Sequence, residues 1–449
     1  QNNEPIEDNK KDDDSEDDVI YKEKEDDLKE YKADETDSLS LYNFDAPGTS
    51  ADNPIEVPAS GLAFNNGVVY GISQEWYKEK KKEITGSEDV EENRDFKLYV
   101  SVVIPSEIDG KAVKTIGFNS FTNSFANEKY DNGAMYVQTD DTKKSYLDIG
   151  TFSVVSVDME SADNLETIET QAFYNCTDLE GIIIFPDSLK NFGESFVFGN
   201  CTKLEGVVWS DNLEYLGDFD DGDPSGAVFY GCSNLRFATT KEKYEEAEQN
   251  GDLDTFTDLT FPDGLKFIGS QCFQNAFQPG LGLAVTIPAS VETIGSQAFY
   301  NSDVKEIRYS QFVVERTADD DLTGYDYAAF KWRNDAAPDK VCLIIMADKA
   351  SYDYFLNDNN GLSYVENAVT YPMDVQFKNG DDIVETEHKL YKQYIQYEMD
   401  PDTGVWSRNT DYELPEIPGG IEPEPGYKGS VWIMDGKELT VNSKVTSDT

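Results

Sequence analysis

A phrase of fixed spacing recurs through the middle of the chain, and it constrains the fold more than any other feature. Its clearest copy places apolar residues at Leu165, Ile168, Ala172, Phe173, Cys176 and Leu179. The phrase returns at Leu189, Phe192, Phe198, Cys201 and Leu204, and again at Leu213, Leu216, Phe229, Cys232 and Leu235. Two later copies carry Leu265, Ile268, Cys272 and Phe273, then Val291, Ile294, Ala298 and Phe299, and a degenerate first copy carries Val113, Ile116 and Phe121. Glycine follows the central aliphatic or aromatic residue at Gly117, Gly193, Gly217, Gly269 and Gly295. Most copies follow a short β-rich run that ends in proline, at Pro105, Pro186, Pro262 and Pro288. The undistorted period is about 25 residues, within the range of stacked repeat arrays. One such unit cannot bury its own apolar residues, whereas a stack buries a continuous core, so the phrase predicts a solenoid of short parallel strands. The glycine predicts either a positive φ or a close backbone approach.

Wider spacings arise from insertions at 126–150, 218–226 and 237–256, which loops absorb without disturbing a stack. Cys176, Cys201 and Cys232 occupy one register, which predicts a buried ladder of thiols acting as small hydrophobes. Cys272 stands where another copy has alanine, and Cys342 is the fifth and last cysteine. An odd count without close pairs argues against a disulfide framework. Without a C-x-x-C pair, and with His388 as the single histidine, metal chelation and histidine-based catalysis are both disfavoured. We therefore expect no cofactor, no metal and no enzymatic activity.

These phrases resemble the BspA-type leucine-rich repeats of bacterial surface proteins, over about residues 100–365. Val103 to Gly117 resembles the opening of such arrays, and Val341 to Val365, with a short helix near Ala350–Phe355, resembles their closing unit. From about 373, strand-like runs between turn signals, with Leu414-Pro415, Gly426-Tyr427 and Trp432, are similar to the β-grasp repeats of the Listeria–Bacteroides (internalin B) type. The expected fold class is thus β-rich: a leucine-rich-repeat solenoid followed by a small β-grasp-like domain. The expected division is an acidic extended tail at 1–45, a capping region at 46–105, the solenoid with its closing unit at 106–370, and the small domain at 371–449.

Charge narrows the partners. The formal net charge is −52 over 449 residues, which disfavours nucleic acids and anionic membranes as ligands. No apolar run is long enough to span a bilayer. The lysines of Lys78–Glu83 alternate with glutamates and read as a solvated face or loop. The acidic runs at Asp218–Asp223 and Asp319–Asp321 read as surface insertions in preference to calcium loops, because Gly222 occupies a ligand position and no glutamate closes the first. Asn175 and Asn200 match a glycosylation pattern, but as repeat residues they read as asparagines that satisfy backbone groups in a turn.

Solenoids bind along the outward side chains of their strands. If Val207 and Trp209 point inward, Val208 points outward, and the same alternation selects Thr260, Thr286 and Arg308 as binding candidates. The resemblance implies a secreted or cell-surface adhesion protein that presents its repeats to extracellular proteins or glycans. The alternative is a structural subunit that self-assembles through its C-terminal domain or tail.

Overall fold

The computed structural model describes residues 45–87, 96–122, 135–140, 143–147, 151–220, 223–295, 297–309, 343–358, 369–379, 381–400, 406–417 and 431–446. The chain divides into the units Gln1–Tyr42 and Asn43–Thr449, and every described residue lies in the second. The acidic stretch 1–44, Gly222, Asp319–Asp321 and Cys342 lie outside the described residues.

Two parallel ladders run through the repeats. The long-strand ladder orders Glu180–Ile184, Lys203–Val208, Phe237–Thr239, Asp258–Thr260, Leu283–Ile287, Val304–Tyr309, Leu343–Ile345 and Val369–Thr370, each parallel to the next. The short-strand ladder is built from two-residue strands at Thr115–Ile116, Thr167–Ile168, Asn191–Phe192, Tyr215–Leu216, Phe267–Ile268 and Thr293–Ile294. The antiparallel pair Leu62–Asn65 and Val68–Ile72 starts that ladder, and Ile55–Val57, Lys97–Val103 and Thr151–Asp158 form a separate parallel sheet. Proline ends the long strands where the sequence places it, because it has no N–H to give the ladder.

Between the ladders lies the core, and it is a column of identical side chains. Phe121, Phe173, Phe198, Phe229, Phe273 and Phe299 stack face to face, with successive ring centroids 5.1, 4.9, 5.5, 5.7 and 5.5 Å apart. Beside them the thiols form the expected second column. Cys176, Cys201 and Cys232 donate to the carbonyls of Phe121, Phe173 and Phe198 at 3.1, 3.2 and 3.0 Å, each reaching back one unit. All four described cysteines are free and fully buried.

The units also turn through left-handed residues, one two places before each phenylalanine and, for the five units described there, one two places after it. The first set is Asn119, Gln171, Phe196, Ala227, Gln271 and Gln297; the second is Asn175, Asn200, Gly231, Asn275 and Asn301. Asparagine and glycine tolerate this conformation best, and the second set is four asparagines and one glycine. The asparagines depart from expectation: Asn200 donates through its side chain to the Asn175 side-chain oxygen at 2.9 Å, so they bond to one another as an amide ladder. The glycines after the central residue serve both predicted purposes. A Cβ on Gly193 would sit 2.3 Å from the Thr170 nitrogen, and Gly217 has φ 109°.

Among the described residues three α-helices decorate the stack: α1 (Gln74–Thr85), α2 (Lys241–Asn250) and α3 (Lys349–Asp358). The charged stretch Lys78–Glu83 lies in α1, and it is not a uniformly solvated face, because Lys81 is buried. The α3 helix contains the segment expected near Ala350–Phe355. The C-terminal part is three two-stranded antiparallel pairs: Pro372–Asn379 with Asp382–Leu390, Tyr397–Met399 with Trp406–Arg408, and Ile433–Met434 with Lys437–Glu438. Residues 391–396 are mainly turn, fastened to 443–445 by backbone hydrogen bonds from Lys392 N–H to the Val445 carbonyl at 2.7 Å, from Ile395 N–H to Ser443 at 2.9 Å and from Val445 N–H to Gln393 at 2.9 Å.

Candidate binding surface

The register brings the four predicted residues into one outward row. Val208 pairs with Thr239, Thr260 with Thr286, and Thr286 with Arg308. Their exposure is unequal. Val208 is fully buried, against the expectation that it points to solvent. Its neighbours on the same outward side, Gly206, Phe237 and Thr239, are buried as well. The cause is the insertion at 237–256, which folds back over this part of the ladder. Tyr244 of α2 and Phe256 pack on Phe237 at ring distances of 6.2 and 5.2 Å. Arg236 fastens the returning chain by donating to the carbonyls of Leu253, Asp254 and Phe256.

Thr260 and Arg308 are half-buried and already engaged. The Thr260 hydroxyl donates to Asp258 at 2.6 Å and accepts from Lys243 of α2 at 2.7 Å. Arg308 donates to Glu306, whose other oxygen accepts the Trp406 backbone N–H at 3.0 Å. Burial pushes the Glu306 carboxyl above its usual range, while Arg308 and the Trp406 N–H oppose that shift. Thr286 alone among the four is exposed.

A more open surface lies on the short-strand ladder, where a groove of about 640 Å³ crosses successive repeats. Its walls are built by register. Thr167, Asn191 and Tyr215 come from one position in three successive units, and Thr170, Glu194 and Asp218 come from another. Phe118 closes one end, where its N–H donates to Glu169 at 2.8 Å. The insertion at 218–226 forms an antiparallel hairpin of Asp218–Asp220 and Asp223–Ser225, so its first residue stands at the rim. Glu169, Glu194 and Asp218 line the groove, and among the described residues no lysine or arginine does. Lys266, paired with Glu214, stands 5.7 Å from the Tyr215 ring centroid.

Thr167, Asn191 and Tyr215 are not among the residues that strand alternation selects for binding in the sequence. The signal is present, because the residue before each of the buried positions Ile168, Phe192 and Leu216 must face the other way. The thiol column offers no comparable chemistry. Burial raises Cys201 and Cys272 well above the usual thiol range, which leaves little of the thiolate that nucleophilic or metal-binding cysteine requires. Among the described residues no cluster of three or more His, Cys, Asp or Glu could hold a metal ion, and no helix is long and apolar enough to cross a membrane.

Residues 149–278 and 251–318 match the family model described as BspA type leucine rich repeat region, in six copies. Among solved structures the chain is similar to the leucine-rich repeat protein TpLRR of T. pallidum, at 19% identity over 46% of this chain and 82% of that one, with a TM-score of 0.25. It is also similar to a leucine-rich repeat protein from Bacteroides ovatus, at 14% identity over 55% of this chain and 63% of that one, with a TM-score of 0.18. A third is the pneumococcal vaccine antigen PcpA, at 12% identity over 60% of this chain and 88% of that one, with a TM-score of 0.15. No curated protein matches the chain. The β-rich stack of short parallel strands is a leucine-rich-repeat solenoid.

Proposed function

We propose that this chain is a secreted or cell-surface binding protein that uses its repeat solenoid to hold extracellular proteins or glycans, with the groove on the short-strand ladder as the reading surface. The observation that carries the proposal is the periodic construction of that groove, in which equivalent positions of three units supply threonine, asparagine and tyrosine along one wall. Such a surface offers hydrogen-bonding groups and an aromatic ring on a rigid frame, the ingredients of recognition without chemistry. The BspA-type repeat match at 149–318 contains the groove apart from Phe118, and adhesion is what that repeat family suggests.

The test is capture of matrix proteins and glycans on an array by the full chain, compared with Tyr215→Ala, Glu194→Lys and, on the opposite ladder, Thr286→Arg. The groove substitutions are expected to weaken capture at least about tenfold, and Thr286→Arg to leave it unchanged. Loss with Thr286→Arg alone would move the site to the long-strand ladder, and no capture of any array component would sink the binding reading.

One observation favours a second reading, self-association through the C-terminal segment, whose sequence resembles β-grasp repeats. The exposed large hydrophobics among the described residues are Ile383, Met399, Val431 and Ile433, and all four lie in that segment. Light scattering across a concentration series separates the two readings, since a strictly monomeric chain ends the assembly proposal and leaves the binding proposal intact.

A further inference from the structure

The C-terminal segment holds a lysine in an unusual setting. Lys389, at the end of the strand Asp382–Leu390, is 2% exposed. Lysine is among the side chains least often fully buried, and it tolerates burial only when its charge is matched. Here its Nζ meets Glu387 at 2.9 Å and Glu398 at 3.8 Å and stands 4.1 Å from the centroid of the Tyr412 ring. The Tyr412 hydroxyl donates to the same Glu387 oxygen at 2.8 Å, so that oxygen serves two donors.

The second carboxylate, Glu398, is shared differently. Its Oε1 faces Lys389, while its Oε2 accepts the side-chain N–H of Asn409 at 2.7 Å. The orientation of that amide is fixed from both ends, because Asn409 Oδ1 accepts the Asp411 backbone N–H at 2.9 Å. Glu398 therefore hydrogen-bonds the carboxamide nitrogen through one oxygen and faces the amine as an ion pair at 3.8 Å through the other. A backbone donor sits on the carbonyl oxygen of that carboxamide. These are the parts of an acyl transfer: a nucleophile, an electrophile, a proton carrier between them, and a donor for the developing oxyanion.

We propose that Lys389 and Asn409 are joined by an intramolecular amide bond that the folded chain forms itself, with Glu398 as the proton carrier. Lys389 Nζ gives a proton to Glu398, and its lone pair attacks Asn409 Cγ. The oxygen of the tetrahedral adduct is held by the Asp411 N–H. Glu398 then protonates Nδ2, the Cγ–Nδ2 bond breaks, and the group departs as ammonia. The expelled ammonia takes the surplus proton from the newly acylated nitrogen and leaves as ammonium. Ammonium side chain plus carboxamide becomes secondary amide plus ammonium, Glu398 ends as it began, and no oxidant or co-reactant is required. The bond would tie the end of the first C-terminal hairpin to the end of the second. It would hold the segment closed through unfolding, a useful property in a chain exposed to force or proteases outside a cell.

The experiment is proteolytic digestion and tandem mass spectrometry of the full chain, purified folded and then denatured. A digest is needed in place of intact mass because only the branched peptide identifies the two residues that are joined. The expected result is a branched peptide joining Lys389 to Asn409, lighter than its two linear parts by one ammonia, with those linear peptides depleted. Asn409→Ala and Lys389→Met should abolish it, and Glu398→Gln should leave both linear peptides intact in a chain whose repeats still melt cooperatively. Linear peptides at both positions in the wild-type digest overturn the proposal whatever the variants do. A branch from Lys389 to another residue overturns the assignment of Asn409, and an undiminished branch in Glu398→Gln overturns the role of Glu398.

Discussion

At the scale of single residues, the left-handed position after each phenylalanine couples one unit to the next. Asn200 bonds back to Asn175, and on its other side a Cβ on Gly231 would come within 2.4 Å of the Asn200 side-chain oxygen. Gly231 also has φ 71°. Two penalties therefore meet in Gly231→Ala, the left-handed backbone and the collision with Asn200, together about 2–3 kcal/mol. Asn200→Gly keeps the backbone preference and removes the colliding group, so alone it costs under about 1 kcal/mol. In the Asn200→Gly background, Gly231→Ala should cost only the backbone share, leaving a coupling of about 1 kcal/mol measurable by a double-mutant cycle in denaturant. Additive effects would mean that the two positions do not interlock. The thiol column yields a second expectation at this scale. With Cys342 replaced by serine, the remaining thiols should stay unreactive toward a thiol reagent until the repeats unfold. Because burial raises Cys201 and Cys272, the folded state keeps its protons where the unfolded state loses them. Stability should therefore fall as pH rises past the ordinary thiol range.

Among the elements, the junction between the N-terminal sheet and the first repeats is held by one carboxylate. Asp178 accepts from Lys97 at 2.8 Å, Ser153 at 2.7 Å and Lys203 at 3.0 Å, and these donors sit on three different strands. Burial would raise its carboxyl, but the three hydrogen bonds and the Lys97 charge outweigh that and hold it well below the usual range. A depressed folded value means the stabilisation is present above the ordinary carboxylate value of 3.8 and is lost as pH falls below it. Asp178→Asn should cost about 2 kcal/mol at neutral pH and flatten the acid limb of the stability curve, as read by denaturation at stepped pH. An acid limb unchanged in the variant would show that the clamp contributes nothing there. Little of this was legible in the sequence, since Lys97 and Asp178 are 81 positions apart and no periodicity links them. What periodicity did reveal was the inward set: Val207, Trp209, Leu259, Val285 and Ile307 are all buried. It failed at Val208 for a specific reason. Alternation says which side of a strand a residue faces, whereas α2 and its flanks decide whether that side meets water. The groove is legible in the same way, because the residue before each buried Ile168, Phe192 and Leu216 faces the opposite side.

For the whole molecule, charge distinguishes the partners that the proposed groove could hold. The chain carries a net −52, and the groove adds Glu169, Glu194 and Asp218, with no lining cation among the described residues. A basic protein would be drawn in by the field of the whole surface as well as by these three groups, and that attraction is screened once the Debye length shrinks to a few ångströms. A neutral glycan would instead be held by Asn191, Thr167 and the Tyr215 ring, through hydrogen bonds and stacking that salt hardly affects. Capture of a basic protein should thus weaken by about tenfold or more between roughly 0.05 and 0.5 M salt, while capture of a neutral glycan changes less than about twofold. Glu194→Lys should mimic high salt for the first partner, whereas Tyr215→Ala should be the more damaging change for the second. Measuring affinity for each captured component across that salt series, with both variants, assigns the class of ligand from the ratio alone. A salt-independent basic partner, insensitive to Glu194→Lys, would place recognition away from this groove.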